Sequence, residues 1–69
     1  FQGAGLPDIL AIAPVSGRLV GIEVKRPKVG RLTELQKSQL ARIEAAGGVA
    51  GVATSVEEAL SILQRGNLT

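Results

Sequence analysis

The sequence predicts an α/β fold in which two strands, a helix, a third strand and a second helix follow one another. Three observations support this order. Two apolar, β-branched segments flank a turn that has Pro early and Gly late. Two later segments each begin with a capping residue and carry apolar residues at helical spacing, and a short apolar run separates them. Strands and helices in this succession form layered α/β structures.

The first two segments are predicted to form an antiparallel hairpin. Residues 6–13 (LPDILAIA) and 18–25 (RLVGIEVK) are joined by residues 14–17 (PVSG), which have the composition of a tight turn. Because side chains alternate along a strand, apolar residues fall on both faces of this hairpin. We therefore expect the hairpin to lie between other layers of the structure, with neither face left to water.

The pairing register brings three charged residues to one face. If Ala13 pairs with Arg18, the numbers of paired residues sum to 31, and Asp8 lies opposite Glu23. Opposed β-carbons are roughly 5 Å apart. Lys25 shares this face because side chains alternate with a period of two residues.

A helix is predicted from Thr33 to about Ala46. Thr33 has the character of an N-cap, and Gln36 three residues later completes a capping-box pattern. Leu40 and Ile43 define the buried stripe of the helix, and the amide of Gln36 lies on the same inward side. A buried amide needs a hydrogen-bond partner.

The rest of the chain is predicted to add a strand and a helix. Residues 49–54 form a short apolar strand after Gly47 and Gly48, parallel to the 18–25 strand through a right-handed crossover. Ser55 then caps a helix with Glu58 at the capping-box position, and Gly66 ends it. The expected apolar face of this helix consists of Val56, Ala59, Leu60 and Leu63.

The three clustered charges suit metal-assisted cleavage of phosphodiester bonds. The carboxylates of Asp8 and Glu23 are hard oxygen ligands for a divalent cation. An ammonium such as that of Lys25 can orient a metal-bound water or offset developing negative charge. Cationic side chains that can hold phosphates without reading base sequence lie nearby, and these are Arg26, Lys28, Arg31 and Lys37.

These motifs together resemble the VRR-NUC family, a branch of the PD-(D/E)xK nuclease superfamily. The resemblance rests on Gly-x-Pro-Asp-Ile-Leu, on Ser-Gly-Arg-Leu-Val-Gly-Ile-Glu-Val-Lys, on Arg-Leu-Thr-Glu-Leu-Gln and on Ala-Gly-Gly-Val-Ala. It implies a restriction-endonuclease-like core that binds Mg²⁺ or Mn²⁺. By motif, the metal-binding acids are Asp8 and Glu23, joined by the Val24 carbonyl, while Lys25 and Gln36 complete the catalytic set.

The start of the chain departs from the family pattern. Similar members carry a helix with a further acidic residue, and then a strand, before the Pro-Asp segment, and this sequence lacks both. Residues 1–3 resemble the remnant of a cleavable expression tag, so the nuclease-like domain is taken as residues 4–69. The chain is expected to be either a truncated fragment or a minimal form. A chain of 69 residues buries little apolar surface, which favours a homodimer.

The resulting functional prediction is a metal-dependent DNA endonuclease that acts on branched DNA such as Holliday junctions. One alternative is a non-catalytic DNA-binding or assembly module that retains the nuclease fold. Another is a structural fragment in which the acids are only local charge.

Composition excludes several other classes of function. The chain has no Cys and no His, which excludes thiolate and histidine metal sites, and no Tyr, which excludes tyrosine-based strand transfer. Its single Phe leaves no aromatic platform for base stacking. No apolar run approaches the roughly 20 residues of a membrane-spanning helix. We expect a cytoplasmic location, in a bacterium or a phage-infected cell, and no membrane partner.

Overall fold

The computed structural model describes residues 6–28 and 30–68, which form a three-stranded sheet with a helix on each face. The elements confirm the predicted order, and their bounds are β1 Ile9–Ile12, β2 Leu19–Val24, α1 Glu34–Ala45, β3 Val49–Ala53 and α2 Val56–Gly66. Residues 1–3, which resemble a tag remnant, and Gly5 of the Gly-x-Pro-Asp motif lie outside the described residues. No helix in the described ranges is long and apolar enough to cross a membrane.

The hairpin has the predicted register. β1 and β2 are antiparallel, with Ile9 paired to Ile22, so that paired numbers sum to 31. The Ala13 amide donates to the Arg18 carbonyl over 2.8 Å and closes the turn. Gly17 in this turn has a φ of 77°, a left-handed conformation that a side chain would disfavour.

β2 is the middle strand of the sheet. β3 pairs with it in parallel, with Val24 beside Ala53, and the sheet order is β1-β2-β3. The Lys25 amide extends this ladder by donating to the Ala53 carbonyl over 2.9 Å. Because β2 has neighbours on both edges and helices on both faces, most of its residues are buried.

Two apolar clusters hold the helices against the sheet. On one face, Ile62 of α2 packs with Val20, Ile22 and other buried residues of the strands. On the other face, α1 contributes Leu40 and Ile43, which pack against Ala50 of β3. Gly21 allows this approach, since a Cβ there would lie 2.5 Å from Ile43 Cδ1.

Capping residues fix where both helices begin. Thr33 Oγ1 accepts from the Gln36 amide over 3.1 Å, and Gln36 Oε1 accepts from the Thr33 amide over 2.9 Å, which confirms the capping box of α1. Ser55 Oγ accepts from the Glu58 amide in α2. Only half of the second capping box forms, because the Glu58 carboxylate accepts from the amide and hydroxyl of Thr54 instead.

The predicted apolar face of α2 was wrong at two positions. Val56 is 76% exposed and Leu60 is 53% exposed, whereas Ile62, which the prediction omitted, is buried. The helix is rotated so that Ile62 and Gly66 face the sheet. Gly66 permits this docking because a Cβ there would lie 2.8 Å from Val20 Cγ2.

The expectation that both faces of the hairpin are covered also holds only in part. α1 packs on β2 and β3 but not on β1, so Leu10 and Ile12 remain 46% and 61% exposed. β1 is an edge strand, and the described elements leave one of its faces open.

The C-terminal end of α2 fastens the hairpin turn. The Val15 amide donates to Asn67 Oδ1 over 2.8 Å, and Arg18 Nη1 donates to the Leu68 carbonyl over 2.6 Å. The hydroxyl of Ser16 donates to the Gly66 carbonyl. The turn between β1 and β2 is therefore tied to residues about fifty positions later in the chain.

Replacement of Gly48 tests the contact between β2 and the turn that joins α1 to β3. A Cβ at residue 48 would lie 2.6 Å from the Leu19 carbonyl oxygen, a backbone atom that cannot rotate away. We expect Gly48→Ala to lower the free energy of unfolding by about 1–3 kcal/mol. Urea denaturation measures this change, with the exposed α1 substitution Ser38→Ala as control. Equal stability of both variants would contradict the close approach.

Candidate active site

The predicted acidic residues meet at one end of the sheet. Asp8 directly precedes β1, and Glu23 is the second-last residue of β2. The ladder ends one residue earlier, at the pair of Ile9 and Ile22, and the two carboxyl groups are adjacent. Asp8 Oδ2 accepts a hydrogen bond of 2.8 Å from the Val24 amide, which fixes the exposed Asp8 carboxylate against the end of β2.

Pro7 and Asp8 stand just before the paired part of β1, which begins with the pair of Ile9 and Ile22. Pro7 is buried, and its Cγ would lie 3.2 Å from a Cβ on Gly21, so the ring packs on the face of β2 that α1 covers. Pro7 has no N–H to donate to a neighbouring strand. At this end of the hairpin the Val24 amide therefore has a side-chain acceptor, Asp8 Oδ2.

Glu23 is buried and only half satisfied. Its side chain is 3% exposed. Oε1 accepts a hydrogen bond of 2.9 Å from Gln36 Nε2 and lies 4.0 Å from Lys25 Nζ. Oε2 is buried without any hydrogen-bond partner. A buried carboxylate oxygen without a partner is unfavourable unless a proton or a cation occupies the space beside it.

The environment of Glu23 disfavours its ionised form. Burial raises the pKa of Glu23 above its ordinary value, and the adjacent carboxyl of Asp8 raises it further, while the ammonium of Lys25 acts in the opposite direction. Two neighbouring carboxylates can share a proton or a cation, and either removes their repulsion.

The donor set fits a hard divalent cation. Glu23 Oε2, the second carboxylate oxygen of Asp8 and the Val24 carbonyl are three oxygen donors at the same sheet end. Mg²⁺ and Mn²⁺ prefer oxygen ligands, and Mg²⁺ usually keeps several waters. No group of three acidic, His or Cys residues that could hold a metal occurs within the described ranges. Water or a phosphate oxygen would have to complete the shell.

Gln36 performs two functions with its two amide atoms. Its Oε1 belongs to the capping box of α1, and its Nε2 holds Glu23. The sequence predicts both a capping role for Gln36 and a place in the site. The structure shows that the two roles are compatible, and that the partner required by this inward amide is Glu23.

Lys25 is held at its base by the following loop. Its side chain is 19% exposed, and a Cβ at Gly30 would lie 2.7 Å from the Cβ of Lys25. The Gly30 amide donates to the Arg26 carbonyl over 3.0 Å, and Lys28 has a left-handed φ of 69°. This tight turn needs Gly at residue 30, because the backbone passes directly over Lys25.

The four residues predicted to bind DNA are exposed. Three of them lie in the connection between β2 and α1, and the fourth lies in the first turn of α1. They are Arg26, Lys28, Arg31 and Lys37. Lys37 is partly neutralised, since its Nζ lies 3.4 Å from Glu34 Oε1. The other three are exposed cationic residues in the segment that follows Lys25.

Gln39 is a further polar residue that sequence analysis overlooked. It is 9% exposed, and its Oε1 is buried without a hydrogen-bond partner. The spacing offered a signal, because Gln39 lies three residues after Gln36 and therefore on nearly the same side of α1.

Substitution Glu23→Gln tests the raised pKa. The pKa of Glu23 is higher in the folded protein than its unfolded value of 4.5. The neutral carboxyl therefore contributes its full stability below pH 4.5, and the free energy of unfolding falls as pH rises through the folded pKa. Gln stays neutral at every pH, so we expect Glu23→Gln in metal-free buffer to lack this fall and to be more stable than the parent at pH 7. Denaturation from pH 4 to pH 8 measures it, with the exposed substitution Glu44→Gln as control. A destabilised Gln variant at pH 7 would refute the assignment.

Comparison with known proteins supports one family. The sequence pattern of the VRR-NUC domain matches residues 2–57, a range that includes Asp8, Glu23, Lys25 and Gln36. No curated protein and no solved structure matches the chain. The match covers most of the 69 residues and confirms the resemblance drawn from the motifs. This chain belongs to the VRR-NUC domain family.

Proposed function

We propose that the chain is a metal-dependent DNA endonuclease with a minimal PD-(D/E)xK core. Membership of the VRR-NUC family indicates a nuclease-type function. The observation that supports metal dependence is the buried, unpartnered Oε2 of Glu23 beside the carboxylate of Asp8. A cation at this position would relieve both the missing partner and the repulsion between the acids.

Asp8, Glu23 and the Val24 carbonyl would hold Mg²⁺ or Mn²⁺. Such an ion supplies Lewis-acid polarisation of a phosphate and lowers the pKa of a coordinated water. Gln36 keeps Glu23 in place through the 2.9 Å bond from Nε2. Gln36 therefore acts as a positioning residue.

Lys25 is the candidate for stabilising charge on the scissile phosphate. Its ammonium lies 4.0 Å from Glu23 Oε1 and remains partly accessible. Since Glu23 opposes it only at this distance, the ammonium keeps hydrogen-bonding capacity for a phosphate oxygen or for the attacking water.

DNA is the proposed substrate, held by its phosphates. Arg26, Lys28 and Arg31 are exposed in the segment that follows Lys25, and contacts of this kind position a duplex without reading its sequence. We propose branched DNA, such as a Holliday junction, as the preferred form and a homodimer as the active species, because two related cuts require two sites.

A non-catalytic DNA-binding or assembly module is the second candidate. It is favoured by the small number of acids, because only Asp8 and Glu23 of the described residues meet at the site. Such a module binds DNA equally well with and without divalent metal and does not cleave it.

The substitutions Asp8→Asn and Asp8→Ala separate the structural from the chemical role of Asp8. Asn keeps an oxygen acceptor for the Val24 amide but loses the charge, whereas Ala loses both. We expect Asp8→Asn to change stability by less than about 0.5 kcal/mol. It should weaken Mn²⁺ binding more than about tenfold and abolish cleavage. Asp8→Ala should also cost about 1 kcal/mol of stability.

Calorimetric titration of Mn²⁺ and cleavage of four-way and linear DNA measure these effects, with denaturation for stability. Metal binding by the parent that disappears in Asp8→Asn, together with loss of cutting, supports the nuclease. Cleavage by Asp8→Asn at the parent rate refutes the role of Asp8. DNA binding by the parent without metal binding or cleavage favours the second candidate.

A further inference from the structure

No strand of the described residues pairs with the outer edge of β3. Ala53 turns its carbonyl toward β2, where it accepts from the Lys25 amide, and backbone groups alternate in direction along a strand. Ala50 and Val52 therefore direct their amide and carbonyl groups away from the sheet. The strand VAGVA contains neither a charged residue nor Pro, which are the common means of protecting a sheet edge.

One row of α2 runs beside this open edge. A groove of about 410 Å³ lies between α2 and β3, on the opposite side of β3 from β2, and its lining includes Val52 and Ile62. Glu57, Ser61 and Arg65 line it at intervals of four residues, which place them in one row of the helix. Arg65 reaches the strand, with Nη2 3.3 Å from the Ala50 carbonyl.

This surface is complementary to itself. The row on α2 consists of an acid, Glu57, a small residue, Ser61, and a base, Arg65. A two-fold axis at Ser61 would therefore place each Glu57 against Arg65 of the partner subunit. A two-fold axis at Gly51 would likewise pair Ala50 of each copy with Val52 of the other. The outward amides and carbonyls of both residues would then all take part in the new ladder. The two centres lie near each other, because a Cβ on Gly51 would lie 2.8 Å from Cδ1 of Ile62, the neighbour of Ser61.

We propose that β3 pairs antiparallel with β3 of a second copy of this chain, about a two-fold axis through Gly51 and Ser61. The result is a continuous six-stranded sheet with α2 helices side by side. Arg65 releases the Ala50 carbonyl to the partner's ladder and pairs with Glu57 across the axis. A two-fold interface requires a self-complementary patch of this kind.

The other sheet edge does not offer this symmetry. β1 exposes apolar Leu10 and Ile12, but no row of opposite charges flanks it among the described residues. The β3 arrangement defines the interface of the proposed homodimer and is testable without DNA, metal or cleavage. Its failure would overturn this interface, and a monomeric parent would also overturn the homodimer as active species, but the metal-dependent chemistry of the single site would stand.

The arrangement fixes the separation of the two sites. The two β2 strands are separated by three strand spacings, which is about 14 Å across the sheet. Glu23 pairs with Val52, one residue from the axis, so the two Glu23 residues are also offset by two residue rises, about 7 Å along the strands. Their Cα atoms would therefore lie about 16 Å apart, on the same face of the sheet. Two acid sites on one face, related by a two-fold axis, can act on two antiparallel strands.

Sedimentation equilibrium of the parent and of Val52→Lys tests the edge pairing. Val52 is 39% exposed on edge strand β3, and Leu10 is 46% exposed on edge strand β1, so Leu10→Lys is a matched control. We expect a dimeric parent, a dimer dissociation constant raised at least about tenfold in Val52→Lys, and little change in Leu10→Lys. A monomeric parent, or a dimer weakened by Leu10→Lys alone, overturns the proposal.

Charge reversal provides an independent test that leaves the strand unchanged. Glu57→Arg and Arg65→Glu should each weaken the dimer about tenfold, because two contacts become repulsive, and the double variant should recover parental affinity. Circular dichroism checks that each variant is folded. If Arg65→Glu strengthens association, Arg65 protects the edge from pairing, and the proposal is wrong.

Discussion

The pairing of β1 with β2 in a register that sums to 31 determines most of what this chain can do. It brings Asp8 and Glu23 to the same end of the sheet, where their carboxyl groups are adjacent. A slip of one residue would turn the side chains of one strand to the other face and separate the acids. The register is fixed by the turn that Gly17 closes and by the burial of Val20 and Ile22 under α2.

Burial of Glu23 connects the fold to the chemistry. A middle strand offers little water, so a carboxylate there needs partners from neighbouring elements, and α1 supplies one through Gln36. The same amide group caps the helix, so the start of α1 and the position of Glu23 depend on each other. Such coupling keeps a reactive carboxylate in one orientation, at the expense of leaving its second oxygen unsatisfied.

Local signals made much of this structure predictable from sequence. The turn at residues 14–17, the Thr33 capping box and the β-branched strands gave the element order, and the period of two put Asp8, Glu23 and Lys25 on one face. The rotation of α2 was not predictable, because Val56 and Ile62 are equally apolar in sequence, and packing at Gly66 decides which is buried. The orphan oxygens of Glu23 and Gln39 also depend on tertiary packing, which no local pattern encodes.

The fastening of the hairpin turn by residues 66–68 has a consequence for the order of folding. Val15, Ser16 and Arg18 find their partners only after the last turn of α2 exists. β2 likewise lacks its parallel neighbour until β3 has emerged. Contacts so distant in sequence form late and slow folding. A nascent chain on the ribosome would therefore display the two acids on an unsupported hairpin, and the site would become rigid only once synthesis of the domain is complete.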